Sequence, residues 1–289
     1  YYETSDIVLS ERGQLIGESF GQVIIILLNG SKIKLDGSGG IYENTGTVSI
    51  TQNSTNVVGV GTYFTNLLPG QFILLGTNYF EIDTITDDEN LNILETYVGN
   101  SQSDKSYIAQ AMITGLGVRN MIIYGSSTVG LYFRAVRHSS MANITISKCY
   151  SNFEIHECSD IGLNTIICSL ATTNGFTINN SMTVSMNTGN IIYNTNNGVV
   201  ISGVSENIIL STCAAEENGG DGFHITDTVK NMKIADTVSR ENVGNGIISS
   251  NSTHHIIIEG VDSTNNGSNG LSINGTNNTI SGTTIHSNN

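Results

Sequence analysis

Tryptophan is absent from this chain, proline occurs once, and Lys and Arg together number 11 of 289 residues. Against 25 Asp and Glu, that scarcity of cations leaves a formal net charge of −14. So acidic a surface excludes a nucleic-acid groove or an anionic membrane as partner. No apolar run approaches the roughly 18 residues that a membrane-spanning helix requires. The longest, Val23 to Leu28, reads as a buried strand. Four cysteines (Cys149, Cys158, Cys168 and Cys213) show no Cys-x-x-Cys spacing and are too few for a disulfide scaffold. They read as buried free thiols. Ala, Leu, Glu, Lys and Arg are sparse, which excludes a mainly helical chain. No initiator Met and no basic-then-apolar leader precede Tyr1, so the expectation is a processed product or an excised fragment.

What is present is Gly (32 residues), with abundant Ile, Val, Thr and Asn, and a hydrophobic content of 38%. That content is too high for a disordered chain, and these residue types favour strands and turns. An all-β fold with a packed core is the expectation.

An internal repeat specifies which all-β fold. Asn174-Gly175, Asn197-Gly198, Asp221-Gly222, Asn245-Gly246 and Asn269-Gly270 recur at intervals of 23, 24, 24 and 24. Each pair precedes a short apolar alternation such as Phe176 and Ile178, or Phe223 and Ile225. Weaker copies reach back through Phe153 and Ile155 to Leu131 and Phe133. A second strand repeats in step, beginning Asn207-Ile208, Asn231-Met232, His255-Ile256 and Thr279-Ile280. A unit of this length holds three short strands and their turns but has no room for a crossover helix. The Asn-Gly or Asp-Gly pair is expected to supply a positive φ where the chain turns. With one unit per coil, equivalent strands stack in parallel at about 4.8 Å. Apolar residues then form internal columns, and Asn or Ser columns form ladders at the turns. A β-sandwich with Asn-Gly hairpins is the alternative, but its turns recur every ~8–12 residues and do not hold register over five copies. The spacing predicts a parallel β-helix of about seven coils over residues 112–289.

The same residues, Asn-Gly-apolar-x-apolar followed by an Asn-headed apolar strand as in Asn231-Met232-Lys233-Ile234, resemble the pectin-lyase-like right-handed parallel β-helix family. That family includes lyases, hydrolases, epimerases, adhesins and viral tailspikes, so the resemblance implies a fold and leaves the activity open.

Residues 1–111 read differently, as an attachment or capping region. Alternating strands are predicted at Thr47 to Thr51, Val57 to Val60, Gln71 to Leu75, Tyr79 to Ile82 and Leu91 to Leu94, with a turn at Asp87 to Asn90. Residues 1–45 offer one apolar strand and a Gly-rich turn at Gly37 to Gly40. Gly59-Val60-Gly61-Thr62-Tyr63-Phe64 and Leu68-Pro69-Gly70-Gln71 resemble small β modules of phage tail and other virion proteins. At its other end the sequence stops part-way into a further coil without a polar closing segment. Continuation of the chain, or cover by a partner such as a trimer mate, is the expectation.

With the strand register fixed, alternate residues face outward. Tyr132 and Arg134 are expected beneath Glu154 and His156, and His138 beneath Asp160, with Arg137 and Glu157 nearby. A phenol, cations, imidazoles and carboxylates on one face suit a sugar or acidic ligand. Glu154, His156 and Asp160 are the candidates for proton transfer, and Tyr132, Arg134, Arg137, His138, Glu154 and His156 for ligand binding. The plain alternative is an Arg134–Glu154 ion pair on a polar surface, worth about 0.2–1 kcal/mol. A secondary cluster holds Glu216, Glu217, Asp221 and His224, with Asp227 and Arg240 close by. Paired carboxylates serve glycoside hydrolysis, yet Glu216 and Glu217 are sequence neighbours, and Asp221 occupies the Asn position of the repeat.

Other motifs carry less. Gly17-Glu18-Ser19-Phe20-Gly21 matches Gly-x-Ser-x-Gly without the strand-elbow-helix context. Asn218-Gly219-Gly220-Asp221-Gly222 resembles a calcium-binding β-roll turn but occurs once. His254-His255 would put one ring inward and one outward, unsuited to zinc. Cys149 and Cys168 are expected at near-equivalent core positions of neighbouring coils. No cofactor or metal site is expected; calcium would be the ion of a lyase, but the aspartate cluster that lyase or galacturonase chemistry needs is missing. The expected function is a virion- or surface-associated structural fibre, tailspike-like, with a glycan-binding face and trimeric assembly. A polysaccharide lyase or glycoside hydrolase using the Glu154 patch is the alternative, and a passive structural protein without ligand the third.

Overall fold

The computed structural model describes residues 1–10, 12–18, 23–37, 43–76 and 78–289. They fall into two units, one of residues 1–35 with 114–289 and one of residues 36–113.

The larger unit is a parallel β-solenoid. Leu131, Phe153, Phe176, Val199, Phe223, Ile247 and Leu271 stack in register on one wall. Val118, Met141, Leu163, Met186, Leu210, Ile234 and Ile258 do the same on a second wall. Phe153 and Phe176 lie with ring centroids 5.0 Å apart. Each Ile, Leu or Phe so enclosed contributes roughly 1.5–3 kcal/mol.

The walls meet at corners made by single residues in the left-handed conformation. One coil carries them at Asn180 (φ 46°), Thr183 (φ 50°), Thr188 (φ 66°) and Tyr193 (φ 58°). The next coil repeats them at Gly203, Asn207, Thr212 and Glu217. A single such residue redirects the chain from one wall to the next without a loop, so strands follow each other almost without interruption. Most of these residues are not glycine, and each pays about 1–2 kcal/mol for its conformation, offset by the ladder hydrogen bonds on both sides.

Behind the fourth corner lies an internal asparagine ladder of Asn194, Asn218, Asn242, Asn266 and Asn288. From Asn218 onward each Oδ1 accepts from the backbone N–H and Nδ2 of the asparagine one coil earlier, at 2.8–3.2 Å, while Asn194 Oδ1 accepts from Ala171 N. The Asn-Gly repeat builds a second, outer ladder, in which Asn197 N donates to Asn174 Oδ1, Asp221 N to Asn197 Oδ1 and Asn245 N to Asp221 Oδ1.

The glycines of those pairs do not supply a positive φ, contrary to the expectation from the sequence; Gly203 and Gly260, at corners, do. Their requirement is room. A Cβ at Gly222 would overlap Ser239 Oγ and stand 2.7 Å from Gly246 O and 2.8 Å from Asn242 Nδ2. The inner ladder therefore dictates the glycine column. The second strand of the last coil is offset by two residues: Asn277 takes the corner and Asn278 accepts from Ile256 N, so that copy begins at Asn277 and Thr279-Ile280 stack on Ile257-Ile258.

Residues 1–35 also belong to the solenoid. Ile7, Val8 and Leu9 pair in parallel with Ile33, Lys34 and Leu35. Gln14–Ile16 and Ile24–Leu27 pair with Gly117–Arg134. The coil count accordingly exceeds the expected seven, and the chain divides at residues 35 and 113 where a single boundary after residue 111 was predicted. Of the turn expected at Gly37 to Gly40, residues 38–40 lie outside the described residues.

The smaller unit holds an antiparallel sheet in the order Gln102–Lys105, Thr47–Ile50, Asn56–Val60, Asn90–Ile93, Asn78–Asp87, Phe72–Leu75, Ile108–Gln110. Its core includes Val57, Phe64, Ile73 and Leu91. The turn predicted at Asp87 to Asn90 joins two of these strands, with Asp87 Oδ1 accepting from Glu89 N and Asn90 Nδ2 at 2.9 Å each. Among the described residues no helix is long and apolar enough to cross a membrane.

Candidate functional site

Leu131 and Phe133, with Phe153 and Ile155, occupy the inner face of their wall, so the residues between them face outward. Tyr132 opposes Glu154 and Arg134 opposes His156, as the spacing predicts. His156 Nε2 lies 3.1 Å from Glu154 Oε2, and the Tyr132 and His156 rings are 5.4 Å apart. Lys32 Nζ stands 4.9 Å from the Tyr132 ring centroid, within cation–π range. Burial alone pushes the Glu154 carboxyl up. The hydrogen bond with His156, together with the charges of His156 and Lys32, outweighs it and holds the group below its ordinary value.

The remaining predicted residues lie at the next two corners. Arg134 Nε bonds Glu157 Oε2 at 3.1 Å, which corrects the expected Arg134–Glu154 pair. Glu157 occupies a left-handed corner (φ 53°) one coil on, while Glu154 is engaged by His156. Arg137 Nε bonds Asp160 Oδ2 at 3.1 Å, and His138 Nδ1 lies 3.5 Å from the same oxygen. His138 and Asp160 have positive φ, but Thr183, Asn207 and Asn231 share that corner, so the conformation belongs to the fold. The predicted residues thus form two groups, an aromatic and charged wall around Tyr132 and a corner of paired ions around Asp160.

The wall is equipped to bind. An aromatic ring flanked by a cation and an imidazole, next to an ionised carboxylate, offers a stacking surface and hydrogen-bond acceptors. It is poorly equipped to protonate a glycosidic oxygen, because a general acid needs a raised carboxyl pKa and Glu154 is shifted the other way. Nor do these carboxylates fit a calcium ion, since Glu154, Glu157 and Asp160 each already face a basic side chain. Among the described residues, no group of three or more His, Cys, Asp or Glu side chains could hold a metal.

The secondary cluster separates into pairs. Glu216 takes Arg240 in a two-point ion pair at 3.1 Å. Glu217, at a corner, accepts from Tyr193 and pushes that phenol up. Asp221 Oδ2 holds His224 Nδ1 at 2.7 Å, while its Oδ1 serves the outer ladder. Asp227 Oδ2 accepts from Gly203 N. His224 does share the wall of Tyr132 and Glu154, in the column Tyr132, Glu154, Thr177, Val200, His224.

Among the lesser motifs, Asn218 and Asp221 belong to the two ladders, which accounts for their spacing. His254 is half-buried against Thr276 and His255 exposed at a corner, so neither ring enters the core as expected. Ser19, Phe20 and Gly21 of the Gly-x-Ser-x-Gly match lie outside the described residues. All four cysteines are free and buried. Cys168 stacks between Ile146 and Ile191, whereas Cys149 opposes Ser126, so the two are not equivalent positions. Lys32 is the member that sequence reasoning missed. Its signal was the Ile33-x-Leu35 alternation, which places its neighbours Ile33 and Leu35 inside.

No family model and no curated protein matches the sequence. Solved structures match in three dimensions. The tailspike protein gp49 of Pseudomonas phage LKA1 superposes with a TM-score of 0.62 at 11% identity, covering 91% of this chain and 48% of its own. The tailspike gp61 of Pseudomonas phage phi297 gives 0.59 at 13% identity, covering 93% and 54%. The fold is a parallel β-helix. The periplasmic alginate epimerase AlgG has the same β-helix, with a TM-score of 0.54 at 14% identity over 60% of this chain and 46% of its own. This β-helix chain spans about half the length of the solved structures it matches.

Proposed function

We propose that this chain is part of a virion-associated, tailspike-like fibre that binds a polysaccharide along the wall bearing Lys32, Tyr132, Glu154 and His156. The observation that carries the reading is that cluster itself: a tyrosine ring between a lysine and a histidine, with an ionised carboxylate alongside. Pyranose rings stack on aromatic faces, and their hydroxyls donate to carboxylates. The coils hold these groups in a fixed row, so little ordering entropy is lost on binding. The two tailspikes with the same fold over more than nine-tenths of this chain support the reading. Trimeric assembly belongs to the same proposal, and light scattering of the purified protein tests it.

The deciding experiment incubates the protein with bacterial surface polysaccharides, measuring retention on immobilised polymer and soluble products by mass spectrometry. Retention without products, lost in Tyr132→Ala, is expected. Discrete oligosaccharide products that disappear in Glu154→Gln would replace binding by cleavage. Failure to retain any polymer would leave a purely structural fibre.

A further inference from the structure

The sequence holds eight Asn-Gly pairs. A glycine nitrogen carries no side chain to shield it, so in such a pair it can attack the asparagine side-chain carbonyl. The solenoid obstructs that reaction at most of them. Gly175, Gly198, Gly219, Gly246 and Gly267 each donate their N–H to a carbonyl of a neighbouring coil, at 2.8–3.1 Å. At Asn269-Gly270 and Asn274-Gly275 the asparagine is held instead. Asn269 O accepts from Gly246 N, and Asn269 Nδ2 donates to Asn245 Oδ1 at 3.3 Å. Asn274 O accepts the hydroxyls of Ser249 and Thr253, and Asn274 Nδ2 donates to Ser249 O at 3.0 Å.

Asn29-Gly30 differs from all of these. Asn29 is exposed, and among the described residues neither its side chain, its carbonyl nor the Gly30 N–H makes a hydrogen bond. The two residues form the centre of a tight turn, with φ 53° and 79°, closed by Ser31 N donating to Leu28 O at 3.0 Å. Two positive φ values with that bond make a type I′ turn. The flanks are fastened: Ser31 Oγ donates to Glu3 O at 2.8 Å, Thr128 Oγ1 to Gly30 O at 2.8 Å and Ser126 Oγ to Ser31 O at 2.7 Å. Only the peptide between Asn29 and Gly30 is unattached.

That freedom has a useful direction. Flipping this peptide turns the type I′ turn into type II′, keeps the Ser31–Leu28 bond and carries ψ of Asn29 to about −120°. Gly30 N then faces Asn29 Cγ across a nascent five-membered ring. The accompanying change of φ at Gly30 meets no Cβ. At every other Asn-Gly pair the same flip breaks a hydrogen bond of the asparagine carbonyl, the glycine N–H or both.

We infer that Asn29-Gly30 is a self-modifying site, where the chain converts its own asparagine into aspartate and isoaspartate. Gly30 N gives its proton to water or hydroxide and attacks Asn29 Cγ. The new C–N bond forms, the Cγ–Nδ2 bond breaks, and ammonia leaves behind a cyclic imide. Water then opens the ring at the side-chain carbonyl, giving aspartate, or at the main-chain carbonyl, giving isoaspartate. The sum is hydrolysis of the amide: water is consumed, ammonia is released and nothing is oxidised or reduced. The product places a carboxylate on the segment that leads into Lys32, the cation over the Tyr132 ring. This inference does not depend on polysaccharide binding.

Peptide mapping by mass spectrometry tests it, with every Asn-Gly peptide quantified after warm incubation at mildly alkaline pH, in buffer and in urea. In the native protein Asn29 is expected to convert about tenfold or more faster than any other pair, because each of those must first give up a hydrogen bond. In urea the rates should converge. Hydroxylamine cleaves a chain at a cyclic imide, so it should cut the native protein between Asn29 and Gly30, and Asn29→Gln should abolish that cut. Equal native rates at all the pairs, or faster native conversion at another pair, would overturn the inference. So would an Asn29 that stays intact in the native protein while the unfolded chain converts.

Discussion

Asn242 Oδ1 accepts both the backbone N–H of Asn218 at 3.1 Å and its Nδ2 at 3.0 Å, so one oxygen satisfies two donors of the coil before it. Asn242 in turn donates to Ala215 O and to Asn266 Oδ1. Asn242→Ala would leave two buried donors and a carbonyl unpaired. The expected loss is on the order of 3 kcal/mol, read as a lower urea midpoint. An effect no larger than that of an exposed asparagine such as Asn164→Ala would mean that the ladder adds little to stability.

The two classes of glycine should separate under a single methyl group. At Gly222 a Cβ meets Ser239 Oγ, Gly246 O and Asn242 Nδ2, the last belonging to the ladder. Gly222→Ala is expected to destabilise by about 1–3 kcal/mol through overpacking. Gly162→Ala meets open space and should be neutral or raise stability by up to about 1 kcal/mol. Thermal or urea unfolding of the pair checks this, and equal effects would remove the distinction between the two positions.

The 24-residue recurrence of Asn-Gly pairs made the solenoid legible, because every coil must repeat the same inward positions. The ladders, Asp221 as a member of the repeat, and Tyr132 beneath Glu154 all followed from that register. The reason for the glycines did not. A sequence marks where glycine occurs but not whether conformation or crowding demands it, and at Gly222 the neighbours Ser239, Gly246 and Asn242 of the next coil distinguish them. The amino-terminal coils were hidden because residues 36–113 separate Ile33 from the strand it joins, which breaks the period. Lys32 was lost with them. Arg134 was paired with Glu154 as a neighbour on the adjacent strand, whereas the left-handed corner at Glu157 offers it a carboxylate one coil away.

The buried thiols should be chemically silent. Burial pushes Cys149 and Cys213 up to about 12 and raises Cys168 as well, so almost no thiolate exists at neutral pH. Native protein is expected to resist alkylation by iodoacetamide, and all four cysteines should react once it is unfolded in urea. Mass spectrometry counts the adducts. Rapid labelling of Cys168 in the native state would contradict its enclosure between Ile146 and Ile191.

Asp221 stands where the other coils of the outer ladder carry asparagine, and the structure shows what the extra charge does. Its Oδ1 accepts from Asn245 N and Nδ2 at 2.7 and 2.8 Å, as an asparagine oxygen would, and its Oδ2 is left to hold His224. Burial pushes the carboxyl up, but the bonds from His224 and Asn245 win and its pKa is lowered. A folded-state value below the unfolded one means a stabilising contribution present above the ordinary aspartate range and lost as pH falls through the folded value. Asp221→Asn restores the column and preserves the ladder oxygen, so at neutral pH the cost should be only about 1 kcal/mol, from the weakened His224 bond. In acid the difference should vanish, because a protonated Asp221 carboxyl and the amide of the Asp221→Asn variant then offer the ladder the same neutral oxygen. Urea unfolding of both proteins from neutral pH to below the aspartate range measures this. Parallel stability curves at every pH would show that the carboxylate contributes nothing beyond its place in the row.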